Sequence, residues 1–249
     1  MAGDASQVRR YEREGGRQRR ESFTLGAIKV VGDAFAVLAG ALLFSIVAEW
    51  FGMVFLWTEE GVTHSERMLT TELNYINRDF KAAILGSKPM DFAIGSARSI
   101  DYWLFEATYF RDILAWGIRP GRDAGTVRRM FAKMILLTGE YIEAAINIVQ
   151  LFGVRLAIAL LSMPAFLLIG VAALTDGLAH RDLRRFTGAA ESSFLYHRFK
   201  PWVKPAFIGT WFIYLSMPIA LHPNMIFIPA AVLFGLTLFF TSAMFKKTL

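Results

Sequence analysis

The chain has 249 residues, no cysteine and a formal net charge of +6. Charged residues make up only 19% of the sequence, whereas soluble domains carry about 25%. Together with a hydrophobic content of 55%, this balance indicates a membrane protein. The 22 Phe and 6 Trp exclude disorder over most of the chain, and the lack of cysteine excludes disulfides, thiol nucleophiles and thiolate metal sites.

Four apolar segments are long enough to cross a bilayer, because a helix needs about 20 apolar residues to span the roughly 30 Å hydrocarbon core. The sequence therefore predicts an all-α, polytopic membrane protein with four transmembrane helices and a helical periplasmic insertion between the first and second. The first span follows a long polar lead and is too extended for a cleaved signal peptide, so we expect an uncleaved anchor.

The predicted segments are, in chain order, a cytoplasmic basic N-terminal tail (1–33), transmembrane helix 1 (34–57), a periplasmic helical region (58–150), transmembrane helix 2 (151–174), a cytoplasmic basic loop (175–204), transmembrane helix 3 (205–221), transmembrane helix 4 (225–245) and a cytoplasmic C-terminus (246–249).

The distribution of Lys and Arg sets the expected orientation, since cytoplasmic segments carry an excess of these residues. Basic residues are concentrated in the N-terminal tail, the 175–204 loop and the C-terminus. These segments share one side of the membrane if there are four spans, and the exported region is nearly neutral. We therefore expect a multi-pass protein of a bacterial inner membrane with both termini in the cytoplasm.

The exported region is predicted to contain three helices. Thr63 and Glu66 match a capping box at the start of the first, and Gly86 and Pro89 supply its stop signal. Between them, apolar residues recur at spacings of three and four, which indicates one buried helical face. That face comprises Leu69, Leu73, Ile76, Phe80 and Ala83. The second helix is predicted from about Ala97 to Trp116.

The third exported helix is predicted to start near Asp123 or Thr126, after a turn at 119–121, and to continue without a break into the second span. Its first half is unusually apolar for an exposed helix. The stripe consists of Met130, Met134, Leu137 and Tyr141, and Ile135, Leu136 and Ile142 widen it. We expect these residues to pack on the other two helices, on the membrane surface or on a partner.

Glu49 is an ionisable residue within the first predicted span, about 12 Å inside the membrane boundary at 1.5 Å per residue. A charge at the centre of a membrane helix costs about 2.5–3.5 kcal/mol, so it needs a partner. Arg155 lies near the start of the second span on the same side, and we predict an intramembrane ion pair between Glu49 and Arg155. The alternative is a proton or ion relay, but the spans hold no second acid to continue it.

Motifs for catalysis or for a resident cofactor are absent from the sequence. There is no P-loop, no zinc-binding H-E-x-x-H and no G-x-S-x-G nucleophile elbow. The four histidines are far apart and fall on both sides of the predicted membrane, which argues against a metal site. They are His64, His180, His197 and His222. We therefore predict no enzymatic activity, no metal and no cofactor.

The densest polar pattern lies in the 175–204 loop. Arg181, Arg184 and Arg185 fall at spacings of three and one, so a helix would cluster them on one side. Such a cluster attracts anionic lipid, nucleic-acid phosphates or an acidic protein surface. Its commonest role is the positive-inside signal itself. The patch is short and lacks interleaved aromatic residues, so we expect no sequence-specific nucleic-acid binding.

The same stretch resembles the signature of the integrating conjugative element membrane protein family, a four-span bacterial family. The similarity lies in Asp176–Leu178, in Arg181–Phe186, in Glu191–Ser193, and in Tyr196 followed by His197. The hydrophobic layout of the chain also agrees with that family. The resemblance implies a role in conjugative DNA transfer through a type IV secretion-like machine, with a TraD-type coupling ATPase as the partner.

The sequence therefore predicts a non-enzymatic inner-membrane component of a conjugation apparatus that contacts membrane lipids, the coupling ATPase and other machine subunits. The candidate interaction residues are Arg181, Arg184, Arg185, Glu191, Tyr196 and His197. Two other function classes stay open. One is a small transporter or channel subunit with Glu49 lining an oligomeric pore, and the other is a membrane enzyme acting on lipid or cell wall.

Overall fold

The computed structural model describes residues 2–79, 89–118, 125–187 and 193–245. Within these ranges the chain is helical and contains no β-strand, which confirms the predicted all-α class for this part of the protein. The α-helices are α1 (Ala2–Phe55), α2 (Thr63–Asp79), α3 (Pro89–Asp101), α4 (Phe110–Ile118), α5 (Thr126–Thr187), α6 (Ser193–Lys204), α7 (Thr210–Ser216) and α8 (Pro223–Ala243). Two π-helical turns, Tyr102–Glu106 and Pro205–Gly209, complete the set.

Three helical segments are long and apolar enough to cross a membrane: Gly26–Phe55 within α1, Thr126–Arg184 within α5, and Pro223–Ala243, which is α8. They correspond to the first, second and fourth predicted spans, and their length and composition are those of membrane-spanning helices. The exposed apolar side chains of α1 agree with contact to lipid. In the N-terminal compact unit, Met1–Gly40, they include Ile28, Val31 and Phe35.

The third predicted span, 205–221, is not among these three segments of the described chain. In this region the π-helical turn is followed by α7, and the helix ends at Ser216. Met217 then leaves the helix with a φ of −69° and a ψ of 128°. The physical reason is Pro218, because a proline disfavours the α conformation of the residue before it. With α6, the contiguous helical run extends over 193–216.

Helix α5 is the central element, and at 62 residues it is about 93 Å long. It begins at Thr126 and continues through the predicted second span, so the expected unbroken helix is confirmed. Its first half packs against α2, α3 and α4, and its second half packs against α7 and α8. The segment predicted as a loop from 175 onwards is still part of α5 up to Thr187.

Helix α2 starts at Thr63 as predicted, but its first turn differs from a capping box. The Thr63 hydroxyl donates to the Glu60 carbonyl at 2.6 Å rather than accepting from the first turn. The predicted apolar face is confirmed at Ile76, which is buried, and at Leu69 and Leu73, which pack partly buried against the core. Phe80, Ala83 and Gly86 lie outside the described residues.

The prediction of one helix from Ala97 to Trp116 is wrong. Helix α3 starts at Pro89, a residue whose fixed φ suits the first turn, so this proline opens a helix instead of stopping one. After Asp101 the chain passes through a π-helical turn and breaks at Tyr109, whose φ of 56° lies in the left-handed region. The predicted turn at 119–121 lies outside the described residues.

The apolar core lies along α5 where α2, α3, α7 and α8 meet it. Its buried members are Ile76, Ala93, Val154, Ala157, Ile158, Ala159, Phe166, Tyr214, Phe227 and Ala231. Gly153 lets α3 approach closely, because a Cβ at this position would lie 2.5 Å from the Ala97 Cα. This close approach places α3 directly against α5.

Met130, Met134 and Leu137 are exposed, so these residues of the predicted face do not pack on the other helices. Ile135, which widens the same face, is buried against Gly117 and packs on α4 as expected. The membrane surface and a partner are the two expected contacts that stay open for this stripe.

Candidate functional site: a buried polar network

Arg155 of α5 and Glu72 of α2 form the centre of the most deeply buried polar cluster in the described structure. Both side chains are 0% exposed. The Arg155 Nε donates to Glu72 Oε1 at 2.7 Å, and Nη2 lies 2.6 Å from the same oxygen. A buried ion pair needs such geometry, because removing both charges from water costs several kcal/mol per ion.

Tyr214 of α7 binds the second oxygen of the Glu72 carboxylate. Its hydroxyl donates to Glu72 Oε2 at 3.1 Å, and its ring centroid lies 5.7 Å from the Arg155 Cζ. Burial raises the pKa of the Glu72 carboxyl, while the Arg155 charge and the bonds from Arg155 and Tyr214 oppose that rise. Both carboxylate oxygens are therefore satisfied from different helices.

The remaining donors of Arg155 hold the extended segment between α7 and α8. Nη1 donates to the Met217 carbonyl, and Nη2 donates to the Ile219 carbonyl at 2.9 Å. These carbonyls are available because the helix ends at Ser216. One guanidinium thus joins α2, α5, the end of α7 and the connection to α8.

A second polar pair lies at the end of α1. The Glu49 side chain is 0% exposed, and both of its carboxylate oxygens lie 3.1 Å from the Nδ1 of His64. The His64 ring stacks on Trp57 with a centroid distance of 3.9 Å and an interplanar angle of 17°. The imidazole is thereby held between the indole and the carboxylate.

The two charges of the predicted Glu49–Arg155 ion pair have other partners in the structure. Glu49 pairs with His64, and Arg155 pairs with Glu72. A direct ion pair between Glu49 and Arg155 is not among the contacts of the described residues. The physical reason is that α2 packs on α5 and supplies a partner to each charge from its own buried face.

Three further hydrogen bonds lie around this network. Asn147 Nδ2 of α5 donates to Ser65 Oγ of α2 at 3.1 Å, and the Ser65 hydroxyl donates to the Val62 carbonyl at 2.8 Å. Trp50 Nε1 of α1 donates to the Tyr141 carbonyl of α5 at 2.8 Å. Polar contacts therefore connect α5 to both α1 and α2.

Sequence reasoning missed His64 as a partner, and it missed Glu72 and Tyr214 altogether. A signal for Glu72 was present, since it falls four residues after Met68 and four before Ile76, both of which are buried. A carboxylate in the middle of a buried helical face requires a cation nearby. Tyr214 stands in an apolar run and gives no comparable signal.

Arg181 and Arg184, two of the candidate interaction residues, are not gathered into one site. Arg181 pairs with the adjacent Asp182 at 3.1 Å, while Arg184 directs Nη1 to the Met244 sulfur at 2.9 Å, just after the end of α8. These two arginines therefore have different neighbours.

The remaining candidates are described only in part. Arg185 lies in α5 and Tyr196 in α6, but their side chains are outside the described structure, as is the whole of Glu191. His197 is exposed on α6. Among the described residues, no group of three or more His, Cys, Asp or Glu side chains has an arrangement that could hold a metal ion.

A family model described as "IncC plasmid conjugative DNA transfer protein DtrJ-like" matches residues 56–246. The matched region runs from the end of α1 to the end of α8, so it includes His64, Glu72, Arg155 and Tyr214. The comparisons with curated proteins and with solved structures gave no significant match. The predicted role in conjugative DNA transfer is confirmed at the level of the family, because with most of its length matched the chain belongs to the DtrJ-like family of conjugative DNA transfer proteins.

Proposed function

We propose that this protein is a non-enzymatic inner-membrane component of a type IV secretion-like conjugation apparatus, in which it assists a TraD-type coupling ATPase. The family match over residues 56–246 is the observation that carries the proposal. Three helices suited to cross a membrane support the placement of the protein beside a membrane-embedded machine.

In the proposed topology the predicted third span, 205–221, supplies the remaining crossing, and it comprises the π-helical turn, α7 and the segment 217–221 that follows it. Lys204 then lies at the cytoplasmic boundary of this crossing. Both termini and the region around Arg181 and Arg184 then lie in the cytoplasm, in agreement with their basic character.

The proposed role of the buried network is structural. Arg155 binds one carboxylate and two backbone carbonyls, so its donors are used to hold helices together. A rigid α2–α5–α7 assembly would present two working surfaces at the ends of α5. One is the basic cytoplasmic end, and the other is the exported apolar stripe that includes Met130, Met134 and Leu137.

The cytoplasmic end of α5 is the surface proposed to contact the coupling ATPase. Arg181 is about three-quarters buried at the side chain but Asp182 and Leu183 are exposed, so a docking partner would reach this turn directly. Basic residues here attract an acidic protein surface or anionic lipid headgroups. Docking beside the membrane would fix the ATPase at the entrance of the transfer channel.

Charge reversal tests the proposal. A triple variant with Arg181→Glu, Arg184→Glu and Arg185→Glu should reduce conjugative transfer at least tenfold while the protein still accumulates in the membrane fraction. A triple variant with glutamine at these positions should show the same direction of effect with less disturbance of the positive-inside signal.

The matched control reverses three basic residues of the exported region, Arg67, Arg98 and Lys133. It changes the net charge equally and should leave transfer near the wild-type level. Unchanged transfer in both triple variants at 181, 184 and 185 would contradict the proposed docking surface. Site-specific crosslinking from Leu183 in cells that carry the complete element would identify the captured partner.

A small transporter or channel subunit is a second candidate, and the Glu49–His64 pair favours it. His64 lines a cavity of about 340 Å³ together with Trp57, Arg67 and Ile219. One member of the ionisable pair therefore borders an open cavity. Proton or ion flux in liposomes containing the purified protein, abolished by Glu49→Ala, would support this function. Equal flux in both proteins would reject it.

A further inference from the structure

A long apolar groove runs between α5, the helical segment 203–208 and α8. Its volume is about 410 Å³. Phe166, Phe207 and Phe234 contribute rings to it, and their centroids lie 5.4–5.9 Å apart. Among the described residues that line the groove, Lys204 carries the only charge.

Gly170 keeps the groove open. A Cβ at this position of α5 would lie 3.2 Å from the Phe234 ring and 3.7 Å from Leu238, so a larger side chain would project into the space between these residues. The opposite wall contains the π-helical turn Pro205–Gly209. Such turns are rare and occur frequently at functional positions, because they displace side chains from regular helical spacing.

The length of the groove matches one leaflet of a bilayer. On α5 its lining extends from Met163 to Leu174, which corresponds to about 16 Å at 1.5 Å per residue. One leaflet contributes about half of the roughly 30 Å hydrocarbon core. The groove is therefore as deep as the layer occupied by one acyl chain.

Lys204 stands at the Leu174 end of this groove. The helical run and α8 are antiparallel, because Phe199 stacks on Phe240 while Phe207 contacts Phe234. Helix α5 follows the direction of α8, since Gly170 approaches Phe234 and Arg184 contacts Met244.

The residues at this end are suited to a membrane interface. Lys204 is exposed, and its long stem allows the ammonium to reach the headgroup layer. The neighbouring Trp202 is 59% exposed, as is typical of aromatic residues at interfaces. The groove is apolar, no carboxylate is among its lining residues, and the Lys204 ammonium lies at its mouth. This arrangement complements a phosphate that is attached to an acyl chain.

From these observations we infer that the groove is a binding site for one anionic phospholipid, with an acyl chain along Phe166 and Gly170 and its phosphate at Lys204. On α5 the groove begins at Met163, eight residues after Arg155, which corresponds to about 12 Å along the helix at 1.5 Å per residue. It would anchor α6 and the basic end of α5 to the leaflet whose headgroups Lys204 reaches.

Native mass spectrometry of the purified full-length protein in detergent tests this site with phosphatidylglycerol and phosphatidylcholine as probes. The wild-type protein should bind phosphatidylglycerol about fivefold more tightly, the ratio that corresponds to about 1 kcal/mol per basic residue. Lys204→Gln should bind both lipids equally. Gly170→Leu should lose most of its binding to both.

Two matched variants serve as controls. Gly139→Leu introduces the same side chain at a position of α5 where a Cβ would meet nothing within 4 Å, and Lys133→Gln removes a charge from an exposed position of the same helix. Both should bind the two lipids as the wild-type protein does.

The inference is overturned if the wild-type protein does not distinguish the two lipids, or if Lys204→Gln retains the full preference. It is also overturned if Gly170→Leu binds both lipids normally, or if that variant converts a dimer into a monomer, which would assign the groove to a second copy of the chain. Because Lys204 is exposed, its substitution leaves a folded protein to measure even if Gly170→Leu does not fold.

Discussion

Arg155 and Glu72 lie 83 residues apart in the sequence and are joined by a 2.7 Å hydrogen bond between two side chains that are both fully buried. The same guanidinium holds two carbonyls of the segment that follows α7. Helix α2, the central helix α5 and the connection between α7 and α8 therefore depend on one pair of charges.

Removing one member of this pair should be more harmful than removing both. Glu72→Gln leaves the Arg155 charge without its counterion, and the expected loss of stability is about 3–5 kcal/mol. The double variant Glu72→Leu with Arg155→Met should recover much of that loss, since apolar replacements avoid the cost of burying charges. Thermal unfolding of the detergent-solubilised protein measures both.

Glu59→Gln is the control for this series, because Glu59 is exposed. Its melting temperature should equal that of the wild-type protein. If Glu72→Gln also melted at the wild-type temperature, the ion pair would not stabilise the fold.

Tyr214→Phe should weaken the same network by a smaller amount. The substitution removes only the hydroxyl that donates to Glu72 Oε2 and keeps the ring beside Arg155. A hydrogen bond to a charged group contributes about 1.5–3 kcal/mol, which sets the expected loss. In a Glu72→Leu background the same substitution should cost markedly less, and equal costs in both backgrounds would disprove the coupling.

His64→Ala should destabilise the end of α1 by leaving the Glu49 carboxylate buried without its nearest partner. The expected loss is about 3–5 kcal/mol, and Glu49→Gln in the same protein should restore most of it, because a neutral amide costs less to bury than a carboxylate. Limited proteolysis near 57–64 reports the local effect. Failure of Glu49→Gln to rescue the variant would show that His64 acts through its stacking on Trp57 instead.

Gly153→Ala should loosen the contact between α3 and α5, since its Cβ would lie 2.5 Å from the Ala97 Cα. Overpacking of this kind costs about 1–3 kcal/mol. Gly139→Ala, where a Cβ would meet nothing within 4 Å, should instead stabilise α5 by about 0.5–1 kcal/mol, the usual gain for alanine in a helix. The melting temperature should therefore fall in Gly153→Ala and rise in Gly139→Ala. A rise in both variants would contradict the close approach of α3 to α5.

The apolar stripe at the start of α5 should be required for transfer but not for folding. Met130→Glu combined with Leu137→Glu places charges on a surface that is exposed in the monomer, so the protein should accumulate normally. Conjugative transfer should fall at least tenfold if this surface binds a partner subunit or the membrane. Lys133→Glu, on the same helix, is the control, and cells with this variant should transfer DNA at the wild-type frequency. A wild-type transfer frequency with the double variant would exclude this role for the stripe.

The sequence was sufficient for the features that depend on local pattern. Apolar runs of about 20 residues identified three helices that have the length and hydropathy of membrane spans. Helical spacing predicted a helix that starts near Asp123 or Thr126 and continues into the second span, and α5 starts at the second of these residues and runs without interruption. The signature around Asp176–His197 pointed to conjugative DNA transfer, which the family match confirms.

Local pattern was insufficient where two conformations compete within a few residues. The position of Pro89 after an apolar helical face predicts the end of a helix, but a proline is equally suited to a first turn, and it begins α3. The break at Tyr109 has no proline or glycine to announce it, so the left-handed backbone there could not be anticipated from residue type.

The sequence by itself determined that Glu49 and Arg155 each need a partner, because an unpaired buried charge is too costly in any fold. It could not determine which partner, since several residues carry the required charge and their separation depends on how the helices pack. Only the tertiary structure decided this: α2 lies on α5 with Glu72 and His64 on its buried side, so each charge meets the partner that helix packing brings within hydrogen-bond distance.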